Sequence, residues 1–245
     1  MELNRRQFAA GICSTGMLSF PLSAYAKGIP GLYWPDTFRG HVCLTFDDGP
    51  HPKYSHQIMD ILAKYNLKAT FFVCGRRVSS WPDTVRRMHK EGHIIGNHTY
   101  THPTLGKLSI SEIRREFART ERAINRALGV DYQVRYYRPP FGNPWFSSSS
   151  NKEEQKEKIR QVVTEREGLI ILWQLCVGDT RNDATDEKIF KRAKQSIKER
   201  KGGVYCMHDN NGRTVRALPR LIEYLQNEGI RFASLEELIN IKYYM

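Results

Sequence analysis

The sequence predicts an α/β protein with a largely parallel sheet, arranged either as an open sheet or as a barrel. Short runs of β-branched and apolar residues alternate about seven times with segments of helical periodicity. Alternation of this kind is typical of parallel α/β folds, and no repeat of solenoid type is present. The 245-residue chain is long enough for one domain with a well-filled core.

Each element is predicted from its residue pattern and its breakers. The predicted strands are 41–46, 68–74, 93–96, 134–137, 169–177, 204–207 and 230–233. The predicted helices are 53–66, 82–91, 109–128, 151–166, 186–199, 213–227 and 235–241. The clearest helix begins with a capping box of Ser109 and Glu112, carries an apolar stripe and ends at Gly129.

The amino terminus predicts export to the periplasm or the extracellular space. Residues 1–26 have an arginine pair of twin-arginine type at Arg5 and Arg6, an apolar stretch and an A-x-A cleavage site at 24–26. An uncleaved anchor is the weaker interpretation, because the apolar stretch is shorter than the ~20 residues that span a bilayer. We expect a lead segment at 27–40, a folded domain at 41–245 and no transmembrane segment after signal cleavage.

The composition indicates which classes of molecule this protein is expected to bind. A net charge of +12 favours association with polyanions, and an exported protein meets an anionic cell-wall surface before nucleic acid. No nucleic-acid-binding signature accompanies the charge. Four cysteines follow the signal, and we expect buried free thiols although their even number permits two disulfides: Cys43, Cys74, Cys176 and Cys206.

Two short motifs suggest a metal site. Asp47 and Asp48 stand together at the end of the first predicted strand, just before a Gly-Pro breaker. His98 and His102 follow the third predicted strand with three residues between them. The carboxyl ends of parallel strands lie on one face, so these groups can converge. Two imidazoles and a carboxylate form a three-ligand zinc site that leaves a position for water.

Five ordered motifs carry a family resemblance. TFDDGPH (45–51), HTYTH (98–102), RPPFG (138–142), the segment 173–179 and MHD (207–209) resemble the motifs of the polysaccharide deacetylases. This family is the NodB-homology domain, or carbohydrate esterase family 4. The resemblance extends from residue 42 to the carboxyl terminus. It implies a distorted, incomplete (β/α) barrel of about seven strands and makes 41–245 a catalytic domain.

The resemblance also implies the metal ligands and the base. Asp48, His98 and His102 would bind one divalent ion, with zinc expected first and cobalt, nickel, manganese and iron as the alternatives. Asp47 would be the catalytic base, and Arg138 would pair with it and orient it.

The resemblance implies two further groups that assist bond cleavage. His208 would protonate the departing amine as the catalytic acid, oriented by Asp179, with Asp183 as a rival for that part. The backbone N–H of Phe141 would stabilise the developing oxyanion.

The chain departs from the family pattern at the fourth motif. Thr180 follows Asp179 where the family has a tryptophan, which puts the width of the acetyl pocket in question. Met207 replaces the usual leucine by a residue of similar volume. We predict that Trp145, Pro140 and Met207 contact the substrate, with Trp145 stacking on a sugar ring.

The predicted function is metal-dependent N-deacetylation. The substrate would be an N-acetylated polysaccharide or oligosaccharide containing N-acetylglucosamine, such as peptidoglycan, a chitin-like polymer or another extracellular glycan, and the released product would be acetate. Three alternatives stay open: an O-deacetylase of a polysaccharide such as xylan, a catalytically silent glycan-binding module, and a cyclic amide or imide hydrolase on the same scaffold.

Overall fold

A computed structural model of the protein describes residues 40–200 and 202–244. The predicted export signal, 1–26, and almost all of the lead segment, 27–40, lie outside the described residues and stay predictions. Within the described part of the chain, no helix has both the length and the apolar character needed to cross a membrane.

The strands form one parallel sheet with β1 near its centre. The sheet order is β5-β4-β3-β2-β1-β7-β6, and β8 pairs with the start of β1. The bounds are β1 His41–Asp47, β2 Thr70–Val73, β3 Ile94–Asn97, β4 Tyr136–Tyr137, β5 Leu169–Ile170, β6 Leu175–Cys176, β7 Gly203–His208 and β8 Arg231–Phe232. This arrangement confirms the predicted distorted, incomplete barrel.

Eight α-helices accompany the strands in the described part of the chain. Their bounds are α1 Tyr54–Lys64, α2 Gly75–Ser80, α3 Pro82–Lys90, α4 Ile110–Leu128, α5 Lys152–Thr164, α6 Asp186–Arg200, α7 Gly212–Asn227 and α8 Leu235–Tyr244. Helix α2 was not predicted, because the sequence pattern indicated no element between the strand at 68–74 and the helix at 82–91. A Cβ at Gly75 would lie 2.8 Å from the Cα of Thr120, so glycine lets α2 begin directly against α4.

The prediction of one continuous strand at 169–177 is wrong. The segment forms β5 and β6, which lie at opposite edges of the sheet. Between them, the carbonyl oxygens of Ile171 and Leu172 accept hydrogen bonds from the Arg138 guanidinium at 3.0 and 3.2 Å. The Cα atoms of Ile170 and Leu175 are five residues apart and can be separated by at most about 18 Å. The two edges therefore approach each other, and the sheet curls into a half-barrel.

The alternation of side chains along β1 separates two cores. Val42, Leu44 and Phe46 point to the main cluster under the outer helices, whereas Cys43 points to a smaller cluster that includes residues of α8. Because side chains alternate with a period of two, Thr45 and Asp47 share the concave face with Cys43. The first acid of the pair thus faces the inside of the half-barrel.

The predicted free thiols are confirmed. All four cysteines in the described part of the chain are unpaired, three of them buried and Cys176 partly buried. Cys176 and Cys206 are neighbours in register on β6 and β7.

The contribution of the α4 capping box to the stability of the fold can be tested by mutation. The amide of Glu112 donates to Ser109 Oγ at 3.3 Å, and the amide of Ser109 donates to Glu112 Oε2 at 2.8 Å. We expect Ser109→Ala to lower the free energy of unfolding by about 1 kcal/mol in urea denaturation, because it removes one of these bonds. Ser148→Ala, in an exposed loop, is the matched control. Equal effects of the two substitutions would contradict this account of the helix start.

Candidate active site

The predicted metal ligands meet at the carboxyl ends of β1 and β3. Asp48 Oδ1 lies 3.0 Å from His102 Nε2 and 3.4 Å from His98 Nε2. One ligand atom from each residue lies within 4.8 Å of the others, which suits a common ion. The sequence prediction that these three side chains converge is therefore met by the geometry.

The hydrogen bonding of His98 indicates that a cation belongs there. His98 Nδ1 lies 2.7 Å from the carbonyl oxygen of Arg138, which can only accept, so this nitrogen carries the proton. His98 Nε2 then points its lone pair towards Asp48 Oδ1, a buried oxygen that accepts no hydrogen bond of good geometry. Two electron-rich atoms facing each other require a positive charge, and the donor set fits a divalent metal.

The electrostatics of Asp48 agree with this assignment. Burial alone would raise the pKa of the Asp48 carboxyl, but positive charge on the side of His102 and His98 outweighs it and holds the pKa well below its usual value. Asn210 Nδ2 also donates to Asp48 Oδ2 at 3.1 Å. Asp48 is thus an ionised carboxylate with one oxygen held by the protein and the other directed at the histidines.

The loops of the site contain several non-glycine residues in the left-handed region. The φ angles are 72° at Asp48, 69° at Thr99, 64° at His102 and 60° at Phe141. This conformation costs free energy for L-residues and is found where the surrounding structure enforces it. At Thr99 the side chain of Asn97 does so, because its Oδ1 accepts from the Thr99 amide at 2.9 Å.

Glu116 supports the histidine loop and was missed in the sequence. Its Oε2 accepts from the amides of Tyr100 and Thr101 at 2.9 and 2.7 Å, and its Oε1 accepts from Thr101 Oγ1 at 3.0 Å. The available signal was its position, since Glu116 lies within the apolar stripe of α4 between Ile113 and Phe117. A carboxylate on that face needs buried partners.

Asp47 and Arg138 form a buried ion pair. Arg138 is 0% exposed and Asp47 is 2% exposed. Arg138 Nη1 donates to Asp47 Oδ1 at 2.7 Å and to Thr45 Oγ1 at 2.8 Å. Asp47 Oδ2 lies 3.9 Å from His98 Nε2. The guanidinium therefore holds one oxygen of Asp47 and leaves the other beside the predicted metal ligands.

The contact of His208 with Asp179 decides between the two rival acids. Asp179 Oδ1 lies 2.8 Å from His208 Nδ1, and Asp179 Oδ2 accepts from the His208 amide at 2.7 Å and from Thr214 Oγ1 at 2.5 Å. Asp183 instead pairs with Lys188 at 2.9 Å on the surface. Burial lowers the pKa of His208, but the hydrogen bond and charge of Asp179 outweigh it and raise that pKa to about 10.

Asp209 is a second residue to which the sequence assigned no part. It is fully buried beneath the turn that carries Asp48, and a Cβ at Gly49 would lie 2.1 Å from its carboxylate. Ser55 Oγ donates to Asp209 and accepts from the amide of His51 at 2.7 Å. Burial, opposed by the Ser55 hydrogen bond and reinforced by the charge of Asp48, raises the pKa of Asp209 to about 7.

The three predicted substrate-binding residues differ in how deeply they are buried. Trp145 is partly buried and packs against the main core, and its stacking on a sugar ring stays a prediction. Pro140 is buried and Met207 is 1% exposed, and their contact with substrate stays a prediction. Phe141 and Phe146 expose 63% and 48% of their surface instead.

The aromatic side chains near the third motif form two contacts. The ring of Phe141 lies 4.7 Å from that of His102, and the ring of Phe146 lies 5.0 Å from that of Trp173. Trp173 also lies 5.6 Å from the guanidinium carbon of Arg138. The structure thus places Trp173 beside Arg138 and Phe146 beside Trp173.

The donor set of Asp48, His98 and His102 is a candidate metal site. A buried carboxylate, Asp47, lies beside it, and a second carboxylate holds the imidazole of His208. This arrangement is typical of metal-dependent hydrolases. The family model described as polysaccharide deacetylase matches residues 35–162. The chain belongs to the polysaccharide deacetylase family, the NodB-homology fold of carbohydrate esterase family 4.

Three relatives illustrate the similarity. The peptidoglycan-N-acetylglucosamine deacetylase of Bacillus cereus is 33% identical over 218 residues, covering 87% of this chain and 72% of the relative. The family 4 carbohydrate esterase from Streptomyces lividans in complex with acetate has a TM-score of 0.66 and 29% identity, covering 80% and 91% of the two chains. A family 4 pseudoenzyme from Bacillus anthracis has a TM-score of 0.71 and 27% identity, covering 82% and 66%.

Replacement of Asp48 tests the metal site. We expect Asp48→Asn to weaken binding of Zn²⁺ by at least about 10-fold in isothermal titration calorimetry, because the anionic ligand becomes a neutral amide. Asp183→Asn removes the same charge from the surface and should leave the affinity unchanged. Equal affinities of the Asp48 variant and the unmodified protein would exclude Asp48 as a ligand.

Replacement of Asp179 tests the orientation of His208. Asp179 raises the pKa of His208, so we expect Asp179→Asn to move it down towards the ordinary imidazole value of about 6.5. The protonated form would then be lost at a lower pH. NMR titration of the His208 ring in the metal-free protein measures this shift, and Asp183→Asn is the charge-matched control. A His208 pKa that responds to Asp183 instead would reverse the assignment.

Proposed function

We propose that this chain is a metal-dependent N-deacetylase of N-acetylglucosamine-containing glycan, with peptidoglycan as the first candidate substrate. It would release acetate and leave a free amine on the sugar. The observation that carries the proposal is the position of Asp47, whose Oδ2 lies beside the Asp48, His98 and His102 donor set while Arg138 holds its Oδ1. The similarity to the Bacillus cereus deacetylase supports the choice of substrate.

The proposed base is prepared by its surroundings. A divalent ion, when bound to Asp48, His98 and His102, supplies Lewis acidity and lowers the pKa of a coordinated water. Asp47 Oδ2 accepts the proton of the attacking water, and its position is fixed because Oδ1 is bonded to Arg138. Arg138 places its positive charge 2.7 Å from the carboxylate of Asp47.

The proposed acid lies on the other side of the site. His208 Nδ1 is held by Asp179, which leaves Nε2 to give a proton to the departing amine. The raised pKa of His208 keeps this nitrogen protonated at neutral pH. The backbone N–H of Phe141 is the proposed donor to the developing negative charge on the acetyl oxygen.

The pairing of His208 with Asp179 favours an amide over an ester substrate. An amine leaves only after protonation, whereas the alkoxide of an ester is a better leaving group and depends less on an acid. A silent glycan-binding module is a real alternative because one similar structure is a pseudoenzyme. The assembled ligand set and the oriented Asp47 support activity in this chain.

The proposal also covers the identity of the metal ion, the export of the protein and the polymer that its basic surface binds. We propose zinc as the resident ion, because two imidazoles and one carboxylate with an open position are typical of catalytic zinc. We propose that residues 1–26 direct export and are removed, that 27–40 lead into the catalytic domain, and that the basic surface binds anionic cell-wall polymer.

Acetate release from defined substrates tests the proposed function. We expect Asp47→Asn to lower kcat by about 10²–10⁴-fold on chitooligosaccharide and peptidoglycan, because the general base is lost. Metal content, measured by mass spectrometry, should be retained. Removal of the ion with a chelator should abolish turnover, and added Zn²⁺ should restore it.

Controls and competing substrates complete this test. Asp183→Asn should keep full activity. Acetylated xylan and a cyclic imide should be poor substrates. Acetate release that survives both metal removal and Asp47→Asn would refute the mechanism, and tight glycan binding without turnover would favour the silent module.

A further inference from the structure

Cys206 brings a sulfur atom into contact with the proposed base. Its Sγ lies 3.4 Å from Asp47 Oδ2 on the concave face of the half-barrel. The position follows from the register, because β7 pairs Cys206 with Thr45 and His208 with Asp47. Side chains two residues apart on a strand share one face, so Cys206 and His208 both point towards Asp47.

Asp47, Cys206 and His208 together form a second set of metal-binding groups. One ligand atom from each lies within 4.8 Å of the other two, and no atom of Asp48, His98 or His102 is part of this set. The Nδ1 of His208 is bonded to Asp179, so Nε2 is the ring nitrogen that remains for a ligand. A carboxylate, a thiolate and an imidazole are donors that zinc and other thiophilic divalent ions accept.

We propose that Asp47, Cys206 and His208 form a second, sulfur-containing site for a thiophilic divalent cation such as Zn²⁺, distinct from the Asp48–His98–His102 site. Binding forms a metal–sulfur bond and breaks the S–H bond of Cys206, whose proton leaves to solvent. Asp47 and the Nε2 of His208 contribute lone pairs, and a proton on Nε2 would leave in the same way. No electron is transferred.

The local charges allow two ions to be bound at once. Two divalent ions bring four positive charges, and four negative charges lie around them when Cys206 is a thiolate: Asp47, Asp48, Asp179 and Cys206. Arg138 adds one positive charge, on the side of Asp47 away from the sulfur. The remaining charge is small enough for a second ion to bind, although more weakly than the first.

Occupancy of the second site would inhibit the proposed reaction. The ion would engage the lone pair with which Asp47 accepts a proton and the nitrogen from which His208 donates one. This consequence rests on the proposed function, whereas the existence of the site does not. Zinc would therefore activate at about one equivalent and inhibit in excess.

Cobalt provides a spectroscopic test that is independent of catalysis. A thiolate bound to Co²⁺ gives a ligand-to-metal charge-transfer absorption in the near ultraviolet, and the Asp48–His98–His102 site contains no sulfur. We expect this absorption to develop as the metal-free protein, kept reduced with a phosphine, takes up its second equivalent of Co²⁺. Cys206→Val should abolish it. Cys43→Val and Cys176→Val, at thiols outside the donor set, should retain it.

Zinc titrations give the matching functional readout. The concentration of free Zn²⁺ that halves each variant's own maximal activity should rise at least about 10-fold in Cys206→Val relative to Cys43→Val. Absence of the cobalt absorption in the unmodified protein, or its persistence in Cys206→Val, would overturn the site. Equal zinc inhibition in the two variants would overturn its inhibitory effect. Cobalt absorption in a protein without deacetylase activity would support the site while refuting the proposed function.

Discussion

The buried guanidinium of Arg138 is the constraint on which the rest of the site depends. It is 0% exposed, donates to Asp47 and Thr45 and to two carbonyl groups between β5 and β6, and stacks 4.0 Å from the ring of Phe72. A buried cation is tolerated only when its hydrogen bonds and charge are satisfied, and loss of one partner of such a pair typically costs about 3–5 kcal/mol. The backbone carbonyl of Arg138 also accepts a hydrogen bond from His98 Nδ1 and so orients the His98 ring. One residue thus fixes the position of the proposed base, the orientation of one proposed metal ligand and the closure of the half-barrel.

Two adjacent carboxylates acquire different chemistry because a strand places successive side chains on opposite sides. Asp47 is the last residue of β1 and points into the concave face, where Arg138 holds it. Asp48 follows with a left-handed backbone that turns its carboxylate towards His98 and His102. Direct repulsion within the pair is relieved because each acid has its own positive partner, a guanidinium for one and the proposed ion for the other.

The local sequence pattern was sufficient to predict features that depend on residues close together in the chain. The capping box at Ser109 and the stop at Gly129 depend on residues within one turn, and both formed as predicted. The alternation of strands and helices predicted the parallel class of sheet, and the placement of motifs at strand ends predicted that the Asp47–Asp48 pair could converge with His98 and His102, while the choice of Asp48 as the ligand came from the family resemblance. Family resemblance, rather than periodicity, provided the barrel type and the expected parts played by Arg138 and His208.

Only the tertiary structure could decide features that depend on contacts between distant segments. The break between β5 and β6 arises because backbone carbonyls there bond to Arg138, more than thirty positions earlier in the chain. The sequence left Asp183 as a rival to Asp179 for the contact with His208, and the structure places Asp179 against the imidazole. The proximity of Cys206 to Asp47 follows from the register of two strands more than 150 residues apart. The chain therefore specified which groups are present, and the packing of the sheet determined which of them meet.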